Sequence, residues 1–117
     1  YDRYDRVGGL MIYGIPNFKL EKTIVERRRD QYEKSGVHFH LDYAIQNAKG
    51  FDKIVASHDA VLIATGVYKA RELQIPGLDL EGVFPALDFL IASNRVGLKD
   101  KVPAYESGAL SAKDKDV

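Results

Sequence analysis

The chain has 117 residues, enough for one domain with a modest core. Its 45 % apolar and 29 % charged content suits a soluble globular protein, and 17 basic against 17 acidic side chains leave no net field to draw in nucleic acid or a membrane surface. Cysteine is absent, which excludes disulfides and cysteine-ligated zinc or iron–sulfur centres within these residues, and no apolar run approaches the roughly 20 residues of a membrane span.

The chain opens Tyr-Asp-Arg, without a basic and then apolar leader and without Met at position 1, so a cytoplasmic setting and a natural start further upstream are expected. Tyr1 to Asp5 reads as the tail of a strand, and Val7-Gly8-Gly9-Leu10 as a tight turn. Met11 to Leu20 holds Gly14 and Pro16 and is expected as an ordered loop or short helical turn. Glu21 to Ser35 is the clearest helix: Ile24, Val25 and Tyr32 share one side of a charged segment, and Ser35-Gly36 closes it. Val37, Phe39, Leu41, Tyr43 and Ile45 alternate, which predicts a half-buried strand over 37–45. Ala48 to Ser57 carries only a weak pattern and reads as a connection.

Asp59 to Thr65 is apolar from Ala60 to Ala64, the signature of a strand buried on both faces, and it stops at Thr65-Gly66. Val67 to Glu81 reads as loop, with a turn at Ile75-Pro76-Gly77, and Val83-Phe84 as a short strand. Pro85 to Asn94 is expected as a helix with Leu87, Phe89, Leu90 and Ile91 available for burial, and 96–117 as a polar linker. This order suits part of a doubly wound α/β sheet, a partial Rossmann-like domain. It lacks the strand–Gly-x-Gly-x-x-Gly–helix unit that holds a pyrophosphate.

Several stretches carry a resemblance: Asp2-Arg3, Gly8-Gly9-Leu10, Tyr13-Gly14-Ile15-Pro16, Phe18-Lys19-Leu20, Phe39-His40-Leu41, the run His58 to Arg71, Pro85-Ala86-Leu87-Asp88 and Ala92-Ser93-Asn94-Arg95. In this colinear order the chain resembles the small (beta) subunits of NADPH-dependent glutamate synthases, part of a wider group of flavin-containing pyridine-nucleotide oxidoreductases. The resemblance implies FAD in one Rossmann-type domain, NADPH in a second, and electrons leaving through iron–sulfur clusters to a large (alpha) subunit that forms glutamate. It further implies that 1–95 is a partial FAD-binding domain and 96–117 a linker toward an NADPH-binding domain. NADPH and the clusters would then lie outside these residues. The competing readings are a related FAD-dependent oxidoreductase with another partner, and a non-catalytic half-Rossmann binding module.

The resemblance also selects cofactor-binding candidates. Asp2, at the end of the first strand, is placed to accept hydrogen bonds from a ribose. Relatives often have Glu there, and a surface acid is the competing reading. Gly8, Gly9 and Leu10 would bring backbone N–H groups to FAD. Lys19 falls where a basic residue, often Arg, is placed near FAD, although Lys lacks the planar fork. Ile45 matches a position whose backbone faces the adenine, with Gln46 replacing a common glycine. Thr65 and Gly66 would complete the wall with a hydroxyl and a close approach.

Other groups read more plainly. His38, His40 and His58 have no cysteine or carboxylate cluster to complete a metal site, so structure or surface is the commoner role. No Gly-x-Ser-x-Gly elbow is present, and Glu26 to Asp30 reads as a solvated helix face. No catalytic acid or base is expected, because a flavin would carry the hydride chemistry.

Overall fold

A computed structural model describes residues 1–67, 69, 71 and 73–116. Tyr68 and Ala70 of the resemblance run, Glu72 of the expected loop and Val117 of the expected linker lie outside the described residues.

Five helices form among the described residues: α1 (Leu10–Tyr13), α2 (Lys22–Lys34), α3 (Ala48–Ala56), α4 (Ala86–Gly97) and α5 (Pro103–Glu106). α2 ends as its sequence requires. Gly36 takes φ 90°, a conformation that costs other residues a Cβ clash. Gly36 N–H then donates to Glu33 O and Val37 N–H to Tyr32 O, both at 3.0 Å, which satisfies carbonyls the helix leaves open. α3 replaces the expected connection over 48–57. It starts where the Asn47 carboxamide oxygen accepts from Gly50 N–H at 2.9 Å, a side-chain cap on an otherwise orphaned donor. α4 carries Asp88 in its first turn and Arg95 in its last, the order that complements the helix dipole.

α1 packs on α2 and α4, and α5 packs on α4. The resulting core is small: Ile12, Tyr13 and Val25, with Tyr4, Leu20, Ile91 and Leu98 packed against it. Lys22 is buried beneath this core at 7 % exposure. Its ammonium donates to Met11 O at 3.0 Å and, more closely, to Ile15 O. Burial pulls the Lys22 ammonium below its ordinary value.

No strand is assigned among the described residues, which corrects the expectation of strands at 1–5, 37–45, 59–65 and 83–84. The first two come close. Asp2 N–H donates to His40 O at 2.9 Å and Tyr43 N–H to Asp2 O at 2.8 Å. In a regular parallel ladder the second donor would be residue 42. Asp42 instead takes φ 53° and turns its N–H to Tyr4 O at 2.9 Å, so one extra residue bulges out and the ladder breaks. The third expected strand has no neighbour. Residues 59–67 make no backbone hydrogen bond to any described residue, and Leu62 is 89 % and Ile63 69 % exposed.

Whole-chain dimensions are those of an extended chain. The radius of gyration is 17.4 Å, against about 13 Å for a compact domain of this length. The accessible surface is 9705 Å², against roughly 6400 Å² for a folded monomer of this size.

Candidate functional site

The principal concavity is a groove of about 1190 Å³ between the N-terminal segment, the stretch around α3 and the extended run 61–66. Seven of the eight expected cofactor residues line it: Asp2, Gly8, Gly9, Leu10, Ile45, Thr65 and Gly66. They come from three segments far apart in sequence. Its volume lies somewhat above the usual ligand-pocket range of about 300–1,000 Å³.

One wall is the glycine turn. Gly8 has φ 117° and Gly9 φ 51°, both in the region that favours glycine. The turn is locked from behind, since a Cβ on Gly8 would come 2.6 Å from Val25 Cγ1 and 3.4 Å from Ile12 Cβ. Its carbonyls are used, Gly8 O by Met11 N–H and Gly9 O by Tyr13 N–H. Its N–H groups are not: those of Gly8, Gly9 and Leu10 donate to no described residue. Successive unused amides beside a groove suit an anionic or carbonyl acceptor.

Asp2 and Arg3 are the charged side chains that line the groove among the described residues. One Asp2 carboxylate oxygen accepts from Tyr4 N–H at 3.0 Å, which fixes the side chain. Arg3 was not foreseen as a site residue, yet it brings the groove's one cation among the described residues. It donates to the Tyr4 hydroxyl at 3.1 Å and lies 4.9 Å over the Tyr4 ring. Its sequence signal was only its place beside Asp2. Tyr1 also lines it, stacked on His40 with centroids 4.6 Å apart and with Tyr43 at 5.0 Å. Ile45 lines the groove together with Gln46. Thr65 and Gly66 end the exposed run, Gly66 with φ 71°.

Lys19 lies outside the groove. Lys19 and Leu20 N–H groups both donate to Pro16 O, and this tight turn carries the lysine away, its ammonium 5.9 Å over the Phe18 ring. His58 approaches Ile54 O at 2.8 Å through Nδ1 and meets Tyr1 edge-on. No group of three or more His, Cys, Asp or Glu suited to a metal ion occurs among the described residues, and no helix there is long and apolar enough to cross a membrane.

Behind the glycine turn lies a charged cluster that the sequence reading missed. Arg6 grips Asp100 through two hydrogen bonds of 2.7 Å and donates to the Tyr13 hydroxyl at 3.0 Å. Arg95 reaches Asp5 at 2.9 Å and Asp100 at 3.0 Å, with its guanidinium 4.5 Å over the Tyr13 ring. The Tyr13 hydroxyl in turn donates to Asp5. Arg6 holds the Asp100 carboxyl below its ordinary value. Burial pushes Asp5 up, but hydrogen bonds from Tyr13 and Arg95 and the Arg95 charge outweigh it, so Asp5 is also lowered. Burial and the bond to Asp5 raise the Tyr13 phenol. These partners lie about ninety positions apart in the chain, so no local motif could announce them.

No family model and no solved structure matches the chain. Curated relatives do. The glutamate synthase [NADPH] small chain of Azospirillum brasilense is 50 % identical over all of this chain and 24 % of its own length. Those of Halomonas elongata and Mycobacterium tuberculosis are 46 % and 44 % identical over 80 % and 87 % of this chain, and 20 % and 21 % of their own. The chain thus spans about a fifth to a quarter of the length of these relatives. Along its 117 residues it is homologous to one segment of the glutamate synthase [NADPH] small chain.

Proposed function

We propose that these residues form the FAD-side wall of a flavoprotein oxidoreductase, the small subunit of an NADPH-dependent glutamate synthase. In that subunit electrons pass from NADPH through FAD and iron–sulfur clusters to a glutamate-forming large subunit. Residues 1–95 are the partial FAD-binding domain, of Rossmann-like α/β type, and 96–117 lead toward the NADPH-binding domain. The observation that carries the reading is the convergence of Asp2, Gly8, Gly9, Leu10, Ile45, Thr65 and Gly66 on one groove.

The residues fit the cofactor. Three N–H groups with no partner among the described residues, a fixed carboxylate and an arginine line a groove whose other walls are largely apolar, with Gln46, Asn47 and Thr65 among them. Asp2 would hold a ribose hydroxyl, the amides of Gly8 to Leu10 the polar linkage, and Ile45 the adenine face. The Thr65 hydroxyl would orient the group at the other wall, and Gly66 would let it approach. Bound FAD would supply two-electron acceptance and release, for which none of these side chains has to serve as acid or base. An independent half-Rossmann module fits less well, because residues 59–67 lack every ladder bond that a self-contained sheet would give them.

The test is to purify the product of the complete reading frame that carries these residues. The expected result is a yellow protein that releases FAD on denaturation, with Asp2→Ala retaining less of it. A colourless protein that binds no added FAD would refute the proposal.

A further inference from the structure

We infer that Arg95 and Asn94 of α4 are positioning residues for the Gly8-Gly9-Leu10 wall, an inference that rests on the cofactor reading above. Neither lines the groove. Both hold the segments that enter and leave the turn. On the entering side, Arg95 binds the Asp5 carboxylate through Nη2 at 2.9 Å and Nη1 at 3.2 Å, while Asp100, just beyond α4, binds Arg6 twice at 2.7 Å. On the leaving side, the Asn94 carboxamide donates to Tyr13 O at 2.8 Å, and Asn94 is only 5 % exposed. The Arg95 guanidinium also covers the Tyr13 ring. Tyr13 joins the two sides, because its hydroxyl donates to Asp5 and accepts from Arg6.

The turn has two residues at positive φ, Gly8 and Gly9, and neither has a side chain to pack. Its shape is therefore set by its two ends. α4 ties down both, through Arg95 to Asp5 and Asn94 to Tyr13 O, so the backbone that carries the three N–H groups is held in place. An amide displaced by even an ångström loses most of a hydrogen bond. Loss of Arg95 is therefore expected to weaken FAD binding more than it weakens folding.

The experiment uses the complete protein with Arg95→Gln, Arg95→Lys and Asp100→Asn, and measures FAD affinity on the flavin-stripped form, the flavin absorption spectrum and the midpoint of unfolding without FAD. Arg95→Gln should bind FAD at least tenfold more weakly, with a displaced flavin band. Arg95→Lys should recover part of the unfolding midpoint but little of the affinity, because Lys cannot reproduce the two-pronged grip on Asp5. Equal FAD affinity and spectrum in Arg95→Gln, with only the midpoint lowered, would overturn the inference and leave a structural role. Should Arg95→Gln fail to fold, Asp100→Asn decides: at least threefold weaker FAD binding is expected, and unchanged affinity overturns the inference. Absence of flavin from the wild-type protein would instead overturn the cofactor reading on which it rests.

Discussion

Gly8→Ala isolates the part of the groove whose geometry is most tightly determined. Gly8 has φ 117°, where an L side chain costs about 1–2 kcal/mol. The new Cβ would also lie 2.6 Å from Val25 Cγ1. Val25 cannot swing aside, since it is 7 % exposed on α2 and a β-branched residue in a helix has one favoured rotamer. Overpacking of this kind costs about 1–3 kcal/mol, so the total is about 2–5 kcal/mol. The measure is amide hydrogen exchange of peptides spanning 8–25 in the complete protein, which reads local opening without assuming that several domains unfold together. That cost corresponds to exchange faster by roughly thirtyfold to a few thousandfold. Val25→Ala alone opens a cavity and also accelerates exchange, by about 2 kcal/mol on the methyl groups lost. Combined with Gly8→Ala it removes the clash, so the pair should cost at least ~1 kcal/mol less than the two separate costs added. The backbone strain remains, so rescue should be incomplete. Additive costs, or a Gly8→Ala protein that exchanges like wild type, would refute the view that the turn is wedged against α2.

Lys22→Met tests the buried ammonium. Removing a charge from the core relieves desolvation, yet Met11 O and Ile15 O lose their donor, and a buried acceptor left open costs about 1–3 kcal/mol. Net destabilisation of α1 is expected in the same exchange measurement; equal or greater protection would refute it. Acid should loosen the α4 brace. Asp5 and Asp100 both sit below the ordinary 3.8 in the folded chain, so between their folded and ordinary values the unfolded chain binds more protons and stability rises with pH. Their contribution is present above the ordinary value and is lost as pH falls through the lowered one. Asp100→Asn should flatten the loss of α4 protection below about pH 4, and an unchanged slope would refute the pairing with Arg6.

The helices with strong contrast between charged and apolar faces were legible in the sequence. α2 stands out through Ile24, Val25 and Tyr32 amid charges, and Ser35-Gly36 marks its end in the very residues that close it. α4 was legible through its apolar run after Pro85. α3 was missed because Gly50 and two lysines dilute its pattern, although Asn47 three residues before Gly50 is a capping spacing, and Phe51, Ile54 and Val55 share a face. The strands were overcalled for a physical reason: alternation and apolar runs record what a segment needs to bury, and a ladder needs a neighbour in register. Residues 37–45 find Asp2 and Tyr4 but slip at Asp42, and 59–67 find none. Glycines and an acid carry local signatures, and Asp2, Gly8 and Gly9 do meet on one groove, whereas Lys19 does not. Arg3 lacked a distinctive signature. The Arg6–Asp100 and Arg95–Asp5 pairs arise only when α4 comes back against α1.

The two walls of the groove therefore differ in kind. The wall at Gly8 to Leu10 is clamped by α2 through Val25 and by α4 through Arg95 and Asn94, so its amides keep their directions without any ligand. The wall at 61–66 makes no ladder bond to the described residues, and its Leu62 and Ile63 side chains lie open. A hydrogen-bonded strand beside it would bury those side chains, satisfy its backbone and set Thr65 and Gly66 at a fixed distance from the glycine turn.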